Sequence, residues 1–218
     1  MTVVIGVRTE KGVTMMADTT VYSTERIIRG VPKIIRRQVA GCDMLIGFAG
    51  SCTLGWLARR VEIPDIDYDP QTVIDVVAEC MTDIAVELEE DDYRDRMWLI
   101  GWENHLWVGS SMDFVPVEHA AIGAGGHPTL AAYLAITKCH PRWPVERRLR
   151  AAADTVDGVF SGVGGPFIFE TVRVCDDTQR VGQVVELDRG RRPREPPPRP
   201  PGGAHPPPPA AHPLAPQW

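Results

Sequence analysis

Thr2 is the first residue whose chemistry stands out, because only Met1 precedes it. Methionine aminopeptidases act ahead of a small residue, so processing would leave a threonine bearing both a free α-amine and a hydroxyl. An α-amine has a reference pKa of about 7.7–8.0 and is partly neutral near neutral pH. It can take the hydroxyl proton without a histidine. A threonine after Met1 is ordinary by itself, and its neighbours decide what it can do. Asp18, Lys33 and Gly50 each stand at the end or start of an apolar segment. A lysine cation beside the threonine amine disfavours protonation of that amine and polarises the hydroxyl, and a carboxylate beside the lysine keeps it charged and oriented. A glycine amide at a strand end suits a developing oxyanion, and removing one such donor typically costs about 3–4 kcal/mol. The plain alternatives are a surface lysine beside Pro32 and an aspartate that is only a turn residue.

These residues need a scaffold that converges on Thr2. The run 2–9 is β-rich, 10–12 is a turn and 13–18 is a second strand, which together read as an antiparallel hairpin. Pro32 interrupts pairing before Lys33-Ile-Ile. The stretch 44–50 is almost wholly apolar and reads as a strand buried on both faces, followed by a short helix over 53–61. Asp69 as N-cap and Pro70 as first residue open the clearest helix, with Val73, Val77, Cys80, Ile84 and Leu88 at helical spacing. The acidic run 87–92 reads as a solvated end of that helix. A second hairpin is expected over 97–108, a strand and Gly-rich turn over 120–126, helices over 128–138 and 144–156, and strands over 167–174 and 182–187. Helices grouped between blocks of strands indicate an α+β fold with stacked sheets.

The ordered set Thr2-x-x-x-Gly6-Val7, Gly12-Val13, Ala17-Asp18, Pro32-Lys33-Ile34, Gly47-Phe-Ala-Gly50-Ser51 and Ile122-Gly-Ala-Gly-Gly126 resembles the proteasome β family over residues 2 to 175. The likeness is nearest to its bacterial two-component version, HslV, within the N-terminal nucleophile (Ntn) hydrolases. The resemblance implies a four-layer αββα sandwich of two antiparallel sheets flanked by helices. It also implies a ring of identical subunits, an ATPase unfoldase partner and unfolded protein or peptide as substrate. Under it Thr2 is nucleophile and, through its amine, general base. Asp18 and Lys33 are the supporting ion pair, Gly50 gives the oxyanion amide, and Ser161 belongs to a second supporting pair with Asp157. Val31, Phe48 and Cys52 fall where the family lines its main specificity pocket, which Phe48 would make shallow and apolar. Phe48 reads equally well as core packing.

The chain also departs from that pattern. The gap from Asp18 to Lys33 is one residue shorter than usual. Ala124 stands where the family carries a serine near the threonine amine, and Asp157 to Ser161 is one residue too long. Two rival readings therefore stay open: a non-proteolytic amidase on the same fold, and an inactive ring subunit.

The remaining composition narrows the function by exclusion. Of the net charge of -6, the segment from Arg189 onward carries +4 (five arginines against Glu195), leaving -10 on the body. An acidic body does not fit general nucleic-acid binding. The start has no signal-peptide pattern, since Arg8, Glu10 and Lys11 interrupt it, and no apolar run is long enough to span a bilayer. The six histidines have no metal spacing and the Gly-rich turn lacks a phosphate-loop pattern, so neither metal nor cofactor is expected. Five scattered cysteines without a C-x-x-C indicate neither a disulfide framework nor a zinc site, and a cytoplasmic location is expected. Twelve of the twenty prolines lie between Pro193 and Pro216. The expected organisation is one domain over 1–188 and a disordered or polyproline tail over 189–218, a candidate ligand for proline-binding modules.

Overall fold

A computed structural model describes residues 2–22, 27–64, 69–87, 97–110, 113–157, 159 and 163–175. Met1, Ser161, the expected strand over 182–187, most of the acidic run and the Pro-rich tail lie outside the described residues.

The chain opens with β1 (Val4–Thr9), β2 (Gly12–Asp18), β3 (Val21–Tyr22), β4 (Ile27–Ile28), β5 (Ile34–Val39) and β6 (Cys42–Ala49). Helices α1 (Thr53–Arg60) and α2 (Pro70–Glu87) follow, then β7 (Met97–Trp102), β8 (His105–Ser110), β9 (Asp113–Pro116) and β10 (His119–Ile122). Helices α3 (Gly126–Cys139) and α4 (Val145–Asp157) precede β11 (Phe167–Arg173). One antiparallel sheet has the order β10-β1-β2-β11, and a second has the order β5-β6-β7-β8-β9. The fold is thus a mixed one, and its described residues form two main antiparallel sheets and four helices.

The side chains show why these segments read as nearly continuous apolar runs. Along β6, Met44, Ile46 and Phe48 join Leu54, Leu57, Val73 and Val77 of α1 and α2 in one core cluster. Their neighbours Leu45 and Ala49 enter a different cluster with Val4, Val13, Met15 and Ala17 of β1 and β2. On β1 and β2, Ile5 and Met16 pack instead with Tyr133, Leu149 and Ala153 of α3 and α4. Each central strand therefore has both faces covered, and alternation of polar and apolar residues is lost.

Local signals act as read. Asp69 Oδ2 accepts the Thr72 amide at 2.8 Å and the Thr72 hydroxyl at 2.9 Å, so the carboxylate caps α2. The far end of α1 is held by Arg37 of β5, whose guanidinium donates to the carbonyls of Ala58, Arg59 and Val61 at 3.0, 2.8 and 2.7 Å. Those bonds satisfy carbonyls left open at a helix C-terminus and fix α1 against the sheet. Two expectations change. Helix α3 starts at Gly126 rather than at residue 128. The cysteine reading is corrected outright: Cys42 and Cys175 form a disulfide, although 133 residues separate them. Sequence spacing carries no sign of a bridge that two stacked sheets create.

Candidate active site

Thr2 and Val3 lie just before β1 and are fixed from several sides. The Val3 amide donates to Asp18 Oδ1 at 2.8 Å, and the Asp18 amide donates to the Val3 carbonyl at 3.2 Å. The register of β1 with β2 places Val4 opposite Ala17, which brings the end of β2 to the start of β1. On the other side, the Gly125 amide donates to the Thr2 carbonyl at 3.1 Å. Gly123 adopts φ +86, and a Cβ there would collide with the Thr2 carbonyl oxygen and lie 3.3 Å from the Ala49 side chain. The Gly-rich turn is thus a close-approach device that lets β10 and α3 close on the threonine. It also brings Ala49, the last residue of β6, close to the Thr2 carbonyl.

Lys33 comes from the segment just before β5. Its ammonium donates to Asp18 Oδ2 and to the Thr20 carbonyl, both at 2.7 Å. The pair is dry, with side chains 3% and 0% exposed. Burial lowers the Lys33 pKa from its ordinary 10.5, and the hydrogen bond and charge of Asp18 oppose that shift. A lysine ammonium has three donors, and two are used here. The surface-lysine and simple turn-aspartate alternatives are excluded: Lys33 is 2% exposed and Asp18 is fully buried.

Beside the pair, the Thr19 hydroxyl donates to the Pro166 carbonyl at 2.9 Å and the Thr20 hydroxyl to the Gly164 carbonyl at 3.0 Å. These bonds dock the segment before β11 against the site. The Thr19 carbonyl accepts the Val31 amide at 3.0 Å, and the Lys33 carbonyl accepts the Phe48 amide at 3.2 Å. Sequence reasoning does not single out Thr19 and Thr20. The available signal is a pair of hydroxyl residues directly after Asp18.

The other expected residues are distributed as follows. Gly50 is exposed at the end of β6 with φ +124, a region that favours glycine. Val31 is half-buried before Lys33, and Cys52 is an exposed free thiol at the start of α1. Phe48 is 5% exposed and sits in the cluster beneath α1, where a Cβ on Gly55 would meet its ring. Its ring therefore fills the gap between β6 and α1. Ala124 is exposed in the Gly-rich turn, and Asp157 is exposed at the last position of α4. Val163 is buried beside Val3 and Gly125, two residues after Ser161. Asp18 joins Lys33 to the Val3 amide next to Thr2, and Gly123 lies between the Thr2 carbonyl and Ala49, whereas Asp157 stays at the surface at the end of its helix.

No protein-family model and no curated protein matches the chain. Solved structures do. The Thiobacillus denitrificans protein BPH, in complex with epoxomicin, superposes with a TM-score of 0.65 at 18% identity over 80% of this chain and 100% of that one. Anbu (ancestral beta-subunit) from Yersinia bercovieri gives 0.60 at 13% identity over 88% and 99%. HslV from Trypanosoma brucei gives 0.58 at 18% identity over 78% and 99%. The chain shares their fold. At these identities the likeness is one of fold, and the chemistry rests on the residues described above.

Proposed function

We propose that the chain is a threonine-type endopeptidase subunit of a proteasome-like or HslV-like protease. The observation that carries this reading is the buried Lys33–Asp18 pair, whose carboxylate also grips the amide next to Thr2. A desolvated ammonium held by the carboxylate that binds the amide next to Thr2 has a clear chemical use. It disfavours a second positive charge on the Thr2 amine and stabilises negative charge on the Thr2 oxygen.

The reaction runs as acyl transfer. With Met1 removed, the Thr2 amine takes the hydroxyl proton as Oγ attacks the carbonyl carbon of a peptide bond. The oxyanion is met by the Gly50 amide. Collapse breaks the C–N bond, and the leaving amine takes the proton from the Thr2 ammonium. Water, deprotonated by the same amine, then attacks the ester and releases the carboxylate product. Ser161, just ahead of the docked 163–166 segment in sequence, is assigned a supporting role. Val31, Phe48 and Cys52 are assigned to the pocket for the residue preceding the scissile bond, and the Phe48 ring makes that pocket shallow.

The three core clusters fit a four-layer αββα sandwich within a domain of 1–188, with 189–218 as a disordered tail. The subunits would self-associate as a ring, take unfolded polypeptide from an ATPase unfoldase and work in the cytoplasm. Treatment of the processed protein with epoxomicin, an epoxyketone that reacts with both hydroxyl and amine of one residue, tests the reading. One adduct mapped to the N-terminal Thr2 peptide is expected. An intact Met1 on the native protein, or no adduct on a processed one, refutes the mechanism.

A further inference from the structure

Cys42 and Cys175 stand apart from the site above. Cys42 is the first residue of β6 and Cys175 follows β11 by two residues, so their bond joins one main sheet to the last strand of the other. Their Cα atoms are 6.1 Å apart, an ordinary span for a disulfide. Cys42 is 2% exposed, whereas Cys175 is half-buried. Glu103 is buried with them: its Oε1 accepts the Cys175 amide at 2.9 Å and lies 3.7 Å from Cys42 Sγ. Glu103 sits in the tight turn between β7 and β8 at φ +51. Asparagine or glycine fits such a turn position more readily, so glutamate there points to a use for its side chain.

The strand at stake is an edge. Among the described residues β11 pairs with β2 alone, and it is the last described element of a chain that continues to Trp218. Beyond its ladder it is held by the buried side chains of Phe167 and Val172, by Arg36 of β5, which donates to Glu170 and to the Thr171 carbonyl, by the Val174 amide, which donates to the Lys11 carbonyl, and by the disulfide. Its first residue, Phe167, pairs with Asp18.

We propose that Cys42 and Cys175 form a reversible thiol–disulfide site, served by Glu103, that locks the C-terminal end of β11 to the opposite sheet when oxidised and releases it when reduced. A small dithiol is the reductant. One of its thiolates attacks Cys175 Sγ, the more accessible sulfur. The S–S bond breaks, and Cys42 leaves as a thiolate that takes a proton from water. The second thiol then displaces Cys175, which leaves as a thiolate and is protonated, and the reagent closes to a cyclic disulfide. Two electrons and two protons pass to the cysteine pair. Glu103 holds the Cys175 amide in the oxidised state and is placed to accept the Cys42 S–H once the bond is reduced. The inference does not depend on the peptidase reading.

Alkylation, amide exchange and thermal unfolding of the full chain test it. Native protein denatured in iodoacetamide without reductant is expected to gain three adducts, on Cys52, Cys80 and Cys139, and five after dithiothreitol. Reduction should speed amide exchange several-fold across 167–174 while sparing β5, and lower Tm by about 10 °C, the scale set by the long loop the bond closes. A Cys42→Ser/Cys175→Ser variant with native far-UV circular dichroism should match the reduced protein and ignore dithiothreitol. Five adducts at the outset on air-exposed protein would overturn the proposal, as would unchanged exchange and Tm on reduction. Stoichiometric zinc that shields both thiols until it is chelated would assign the cluster to a metal instead.

Discussion

Asp18 binds the Val3 amide through one carboxylate oxygen at 2.8 Å and leaves the other for the Lys33 ammonium at 2.7 Å. A single buried side chain thus couples the start of β1 to a cation delivered by the other sheet.

Replacing that carboxylate by its amide isolates its charge. Asp18→Asn keeps an oxygen for Val3 but strands a buried ammonium, and breaking such a pair costs about 3–5 kcal/mol. Urea unfolding at fixed pH should show a loss of that size, with peptide hydrolysis lost as well. A variant as stable as the parent would mean the pair is not buried in solution.

The nucleophile is tested by separating chemistry from folding. Thr2→Ala is expected to abolish hydrolysis of a fluorogenic peptide while leaving Tm and assembly state unchanged. Turnover that survives in this variant identifies another nucleophile.

The pH profile follows from the direction of the Lys33 shift. Burial lowers its pKa below 10.5, so the alkaline limb of hydrolysis should fall below the value of an ordinary lysine. The Thr2 amine sets the acid limb, because protonation removes the base. Stability moves the other way: above the lowered pKa the unfolded chain holds more protons on this group than the folded one. This group's contribution to stability therefore rises as pH climbs from that pKa towards 10.5. Titration of hydrolysis and of unfolding free energy over the alkaline range checks both statements.

Two glycines with similar backbone angles make a controlled comparison. Gly123 has φ +86 with the Thr2 carbonyl against it, while Gly30 has φ +81 and open space, with nothing within 4 Å of where a Cβ would stand. Gly30→Ala should cost only the left-handed backbone penalty of about 1–2 kcal/mol. Gly123→Ala should cost more and should also slow hydrolysis by displacing Thr2. Equal effects of the two would remove the close-approach role of the turn.

Phe48 gives the specificity prediction. With the ring packed on Gly55, substrates with small apolar residues before the cleaved bond should be preferred. Phe48→Ala should shift preference toward larger residues, at a stability loss of about 3–5 kcal/mol. A peptide library digested by both proteins reads the shift.

Much of the scaffold is legible in the sequence because its signals are local. The turn at 10–12, the cap at Asp69, Pro70 and the hairpin around Glu103 each act within a few residues. Strand β9 escapes such a reading because Asp113-Phe-Val-Pro is short, exposed and ends in proline. Thr19 and Thr20 escape it because their hydroxyls act on carbonyls more than 140 residues away. Phe48 has no assignable face in a strand whose neighbouring residues are nearly all apolar.

The order of Thr2, Asp18, Lys33 and Gly50, and the strand ends that carry them, were determined by the sequence alone, since period, turn residues and caps are short-range. Only the tertiary structure decided that the Lys33 ammonium loses water against Asp18, that a glycine turn closes on Thr2, and that Cys42 meets Cys175. Those contacts join different sheets or distant segments, and they exist because two sheets covered on both faces must stack in one register to bury their side chains.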